Sequence, residues 1–185
     1  MTPRRDPEGR RRAIVEVAAQ EMIANGYAAL THRRVAAAAN VPLGATTYYF
    51  DSLDDLRAAA LEVVAEQTEQ ELRQLARDVS DRGGRPEGIA AMFTEYLSDR
   101  ERLQAENLLY YAGVYQPELR PLARRWVLGV AEILGDYTSP EAALATSVYM
   151  DGVILHAMLN DQPIDEPALR MAIAALMGAA PKDDQ

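Results

Sequence analysis

Residues 27–50 read Tyr27-Ala-Ala-Leu30-Thr31-His-Arg33-Arg34-Val35-Ala-Ala-Ala-Ala39-Asn40-Val41-Pro42-Leu43-Gly44-Ala-Thr46-Thr47-Tyr48-Tyr49-Phe50. The stretch divides into two short helices around a tight turn. Thr31 has an N-cap side chain for the first, and Val35, Ala36 and Ala39 form its buried side. Asn40 tolerates the left-handed backbone of the turn. Pro42 suits the first turn of the second helix, where a missing N–H costs nothing. That helix is slim and carries hydroxyls, the two things a helix entering the major groove needs. Thr46, Thr47, Tyr48 and Tyr49 are its candidate DNA-contacting side chains, with Arg33 and Arg34 as nearby charge. Three consecutive aromatics cannot share one face, so Phe50 is assigned to the core and at least one tyrosine to DNA. Gly44 would let the helix approach either its neighbour or the DNA backbone.

The same 3.6-residue periodicity extends outward in both directions, with no convincing strand pattern, so an all-α chain is expected. Ile14, Val17, Ala18 and Met22 stripe a helix from about Pro7 to Asn25, ended by Gly26 at a positive-φ position. Ser52-Leu-Asp-Asp55 is a capping box that opens a long helix to about Val79, with Leu56, Ala60, Val63, Val64, Leu72 and Leu75 inward. Asp81-Arg-Gly-Gly-Arg-Pro86 breaks it. Helices are then expected at 86–98, 100–114, 117–136, 139–160 and 165–179. The organisation expected is a helix-turn-helix unit over residues 1–51 and a helical bundle over 52–185.

Composition bounds the function. The 185 residues contain no cysteine, which excludes disulfides and thiolate chemistry. No apolar run is expected to approach a bilayer span, and the charged start lacks a signal-peptide core, so a cytoplasmic protein without membrane contact is expected. The formal charge of -9 is unusual for a DNA binder. Its distribution is not: residues 1–50 hold seven arginines against four acids, or +3, which leaves −12 for residues 51–185. Local positive charge is what phosphates attract. Arg10, with Arg11 and Arg12, is assigned to the phosphates, with solubilising charge as the alternative; Arg4 and Arg5 would form an arm. The acidic body is either a device against non-specific sticking or simply solvated helix.

Residues 10–56 resemble the TetR family of transcriptional repressors. Thr31, Val35, Ala36, Ala39, Val41, Gly44, Phe50 and Leu56 fall in register on that family's pattern. Four positions depart: Asn40 for a glycine, Pro42 for a capping serine, Thr47 for a DNA-touching tyrosine and Leu53 for a phosphate-binding lysine. The resemblance implies a homodimer that binds a pseudo-palindromic operator, and a C-terminal domain that releases it on binding a small effector. In this chain the DNA contacts would be Arg10, Thr31, Arg33, Arg34, Gly44, Thr46, Thr47, Tyr48 and Tyr49.

The body concentrates its aromatics on three helices. Met92, Tyr96, Tyr110, Tyr111 and Trp126, with Asp151 to orient a polar group, are the candidate ligand-binding residues. Glu106 and Asn107 could also serve there; the alternative is that the aromatics fill the core. Ala142, Ala143, Ala145, Gly152, Met158, Ala172, Ala175 and Met177 give the last two helices a small-residue character suited to a dimer interface. His156 is placed in that interface rather than in a metal site. No cofactor is implied, and no catalytic motif points to an enzyme. The competing reading is a helical small-molecule-binding or protein-interaction dimer that has lost operator binding.

Overall fold

Asp6 starts the first helix by accepting from the Gly9 N–H at 2.9 Å, and α1 runs Pro7–Asn25. Gly26 ends it at φ 103°, a backbone region that side chains disfavour. After a single 3-10 turn, Tyr27–Ala29, come α2 (His32–Ala38) and α3 (Leu43–Tyr49). The remainder is α4 (Leu53–Asp81), α5 (Pro86–Ser98), α6 (Arg100–Glu106), α7 (Leu108–Tyr115), α8 (Arg120–Gly135), α9 (Pro140–Leu159) and α10 (Glu166–Met177). The structure is a computed structural model and describes residues 6–160 and 164–178. Among the described residues there is no strand. The N-terminal arm with Arg4 and Arg5 lies outside them, as does residue 179 at the expected end of the last helix.

The capping box forms as expected. Asp55 N–H donates to Ser52 Oγ at 3.1 Å, and Ser52 N–H donates back to Asp55 Oδ2 at 3.0 Å. Two helix boundaries differ from expectation. The helix expected at 100–114 splits at Asn107, whose side-chain amide donates to Leu103 O at 2.8 Å and to Tyr96 Oη at 2.7 Å. The helix expected from 117 begins at Arg120, and Pro121 rather than Pro117 occupies its first turn.

The chain forms two compact units. The first takes in residues 6–68 and 108–123, hence α1 to α3, the first half of α4, and α7. Its core is Ile14, Val15, Ala18, Met22, Leu30, Val35, Phe50, Leu56, Ala60, Val64 and Leu119. The described part of the expected helix-turn-helix unit, residues 6–51, falls within it. The second unit takes in 69–107, 124–160 and 164–178. Its core joins Leu72 and Val79 of α4 to Ile89 and Phe93 of α5, Val153 and Ile154 of α9, and Leu169 and Ile173 of α10.

One expectation needs correction. α9 spans 20 residues and is long and apolar enough to cross a membrane. Its scattered Thr, Ser and Tyr conceal a run whose mean hydropathy is high. Yet Ala142, Ala143, Thr146, Ser147, Met150, Val153, Ile154 and Ala157 are buried within the unit, and Asp151 stands mid-helix.

Candidate functional site: a helix-turn-helix and an acidic aromatic cavity

The helix-turn-helix is held by local bonds. Thr31 Oγ1 accepts from the Arg34 N–H at 3.2 Å and caps α2. Asn40 takes φ 51°, the left-handed turn that its side chain tolerates. Val41 N–H then returns to Ala36 O at 2.9 Å. Pro42 precedes α3 as its N-cap residue, outside the first turn, and offers no side-chain cap.

α3 sorts its hydroxyls. Tyr48 is 79% exposed, Thr47 is exposed and Tyr49 is half-buried. The two tyrosine rings meet edge to face at 5.0 Å. Thr46, expected to face DNA, is instead fully buried and donates to Leu43 O at 2.8 Å. It lies four residues before Phe50 and shares that core-facing side. Phe50 is buried, with the Arg11 guanidinium 5.1 Å above its ring. Gly44 has nothing within 4 Å of where a Cβ would stand, so no neighbour in the chain requires its slimness.

The nearby charges differ in availability. Arg10 and Arg33 are exposed. Arg34 reaches back to α1 and pairs with Glu21 Oε2 at 3.1 Å. Leu53 is half-buried against the core, which accounts for an apolar side chain there.

The second unit contains a cavity of about 410 Å³. α4 contributes Glu71, Gln74, Leu75 and Asp78 to its wall; α5 contributes Met92, Phe93 and Tyr96. Trp126 and Val130 come from α8, and Ser147, Met150, Asp151 and Ile154 from α9. Four of the six candidate ligand residues, Met92, Tyr96, Trp126 and Asp151, therefore share one cavity, together with Glu106 and Asn107. Tyr110 and Tyr111 do not line it. They stand on α7 in the first unit, ring against ring at 5.4 Å, because the helix breaks at Asn107 and the chain changes unit there.

The wall is acidic. Glu71, Asp78, Glu95, Asp99, Glu106 and Asp151 face only Arg82 and Arg102 as cations. Most of the acids have partners. Glu95 pairs with Arg82 at 2.9 Å and Glu106 with Arg102 at 2.7 Å. Asp78 accepts from Gln74 at 2.8 Å, and Asp99 accepts from the Arg102 backbone N–H at 3.0 Å. Asp151 has no hydrogen-bond or ion-pair partner among the described residues, and desolvation pushes its carboxyl up to about 6. Glu71 is also raised, by desolvation first and the Glu106 carboxylate second. Burial raises the Tyr96 phenol as well, with Glu106 adding to it.

The profile described as bacterial regulatory proteins of the tetR family matches residues 14–60. The one described as the tetracyclin repressor-like C-terminal domain matches residues 80–179, more than half of the chain. The chain belongs to the TetR family.

Solved structures agree. The multidrug binding protein EbrR complexed with imidazole is 37% identical over 97% of this chain and 100% of its own, with a TM-score of 0.70. EbrR is also known in complex with malachite green, with 36% identity over 91% and 98% of the two chains and a TM-score of 0.70, and in complexes with proflavin and ethidium. The TetR-family member SCO1917 from Streptomyces coelicolor A3 is 37% identical over 91% and 98% of the two chains, with a TM-score of 0.66. No curated protein matches the chain.

In this TetR-family regulator the sequence reading missed the charged wall. Glu71, Gln74 and Asp78 recur at three- and four-residue spacing beside Leu75, a pattern that also describes an ordinary solvated face. Of the small residues expected at a dimer interface, Ala142, Ala143 and Met177 are buried inside the unit, whereas Ala145, Gly152 and Ala175 are exposed. The exposed side of α9 also carries Leu144, Val148, Leu155 and Leu159, with Met171 exposed on α10. His156 is exposed and meets Asn160 Nδ2 at 3.3 Å.

Proposed function

We propose that this TetR-family regulator is a homodimeric repressor that reads a pseudo-palindromic operator through α3 and releases it on binding an aromatic organic cation. The observation that carries the effector class is Asp151: a half-buried carboxylate on the wall of an aromatic cavity, partly desolvated and without a counter-charge among the described residues. A charge in that setting is costly until an opposite charge arrives. Trp126, Tyr96 and Phe93 offer flat apolar surfaces and, to a cation, attractive ring faces. EbrR, similar over the whole chain, is described as a multidrug binding protein and is known with ethidium, proflavin and malachite green, all of them aromatic cations.

Tyr48, Tyr49 and Thr47 would meet the operator, with Thr31, Gly44, Arg10, Arg33 and Arg34 beside them. The exposed apolar stripe of α9, with Met171 of α10, would form the dimer interface. Two-fold symmetry in the protein asks for an inverted repeat in the DNA. α4 is the element through which the effector would act. It supplies Glu71, Leu75 and Asp78 to the cavity, and its first half packs Leu56, Ala60 and Val64 into the core of the first unit. Coupling of about 1–3 kcal/mol is usual for such linkage. The protein is read as a cytoplasmic binding protein, not an enzyme.

The test is genomic selection for bound DNA, followed by anisotropy titration of the recovered duplex with and without malachite green. Ethidium and proflavin are unsuitable for that step because they intercalate. An inverted repeat bound tighter than random DNA, and released by the dye, supports the proposal. Dye binding without any DNA binding would favour a dimer that has lost its operator.

A further inference from the structure

On the reading that the cavity takes organic cations, we infer that Arg102 is a built-in competitor. Its guanidinium covers the Tyr96 ring face and neutralises Glu106, a second carboxylate of the wall beside Asp151.

Three contacts carry the inference. The guanidinium carbon of Arg102 lies 5.4 Å from the centre of the Tyr96 ring. Its Nε donates to Glu106 Oε1 at 2.7 Å. All three side chains line the cavity. A ring face attracts one cation at close range, and a second positive charge beside the first is repelled. The ring itself is fixed, because Asn107 donates to Tyr96 Oη at 2.7 Å and to Leu103 O at 2.8 Å. The backbone of Arg102 is fixed too, by its N–H bond to Asp99 at 3.0 Å. Its side chain is more than half exposed, so it can leave while the rest of the wall stays.

The contrast with Arg82 shows that the arrangement is particular. Arg82 also lines the cavity and pairs with Glu95 at 2.9 Å, but no aromatic ring lies beneath it among the described residues. Arg102 further offsets the like charges of Glu71 and Glu106. Without it, Glu71 and Glu106 would join Asp151 as wall carboxylates open to a ligand cation. Arg102 therefore sets a threshold: it lowers affinity for cations more than for neutral aromatics, which must displace it but are not repelled by its charge.

The experiment uses the full chain without DNA, with ethidium as the cationic probe and acridone as a neutral one. Arg102→Gln keeps a helix-forming side chain and removes the charge. It should bind ethidium about threefold to fivefold tighter than wild type, in line with a partly exposed cation–ring contact. Acridone should gain clearly less than ethidium, and Arg102→Lys should stay near wild type. Ethidium affinity unchanged or weakened in Arg102→Gln, or an equal gain for acridone, overturns the competitor role while leaving the cation reading standing. If even the wild type does not bind ethidium, both fail. Glu106→Gln decides the matter if Arg102→Gln does not fold. It removes the carboxylate and leaves the guanidinium uncompensated, so ethidium should bind more weakly. Unchanged binding in that variant overturns the inference.

Discussion

Arg34 of α2 closes a 3.1 Å ion pair with Glu21 of α1. The pair neutralises one of the two arginines of α2. Both partners are partly exposed, so the pair contributes less than about 1 kcal/mol to stability. Glu21→Gln should therefore leave the fold intact and free the guanidinium for phosphate. Non-specific DNA affinity at low salt should rise a few-fold, and the log–log salt slope should steepen by about 0.9. Anisotropy titrations across a salt series measure both. An unchanged slope would remove Arg34 from the phosphate contacts.

Tyr48 and Thr46 should respond in opposite ways. Tyr48→Phe removes an exposed hydroxyl and should leave thermal stability unchanged. It should weaken operator binding by about twofold to tenfold, the range for one lost hydrogen bond. Thr46→Val preserves shape but deletes the 2.8 Å bond to Leu43 O inside α3. That substitution should cost about 1 kcal/mol of stability with little change in DNA affinity measured well below the melting temperature. Equal losses of DNA affinity in the two variants would refute this division of α3.

Deleting residues 1–5 tests the arginine arm without touching α1, because Asp6 still caps it at Gly9. All DNA sequences should bind more weakly by a similar factor, and each lost phosphate contact should reduce the salt slope by about 0.9. A slope equal to that of the intact chain would make Arg4 and Arg5 bystanders.

These tests separate what local sequence could and could not reveal. The caps were legible because they close within three residues, as Ser52 and Asp55 do. The turn was legible because Asn40 declares its own backbone. The buried side of α3 was half legible: Phe50 was assigned correctly, but a threonine that satisfies its hydroxyl on its own helix resembles one that faces DNA. The break at Asn107 was not legible. It depends on Tyr96, eleven residues earlier and on another helix. Missing that bond carried Tyr110 and Tyr111 into a cavity they do not line. The acidic wall was hidden for a similar reason, since only tertiary packing separates a carboxylate in water from Asp151 in a cavity.

Gly152 offers a clean test of the dimer. It lies on the exposed stripe between Val148 and Leu155, and a Cβ there would meet nothing within 4 Å in the single chain. Gly152→Arg should therefore leave the protomer folded, and its helix propensity is better than that of glycine. In a packed interface the same side chain has no room. Light scattering should give half the mass of the wild type, and operator affinity should fall with it. A variant that remains dimeric would move the interface off this face of α9.

Asp151 joins stability to ligand binding through pH. Its carboxyl is pushed up to about 6 from an ordinary value of 3.8 by desolvation. The folded state therefore holds the proton more tightly than the unfolded state does. Stability is fully present below pH 4 and is lost as pH rises through 6. Asp151→Asn removes that penalty and should stabilise the free protein at pH 7.5 by about 1 kcal/mol, a figure reduced for the solvent that still reaches the group. The gain should vanish by pH 4. Ligand binding should change the other way. In the wild type, ethidium affinity should rise about tenfold per pH unit up to 6 and level off above it, because only the ionised carboxylate attracts the cation. Asp151→Asn should bind ethidium weakly and without that pH dependence. A variant that gains stability and keeps its ethidium affinity would show a buried charge that the ligand never uses, and the counter-charge would have to be sought at Glu71 or Glu106 instead.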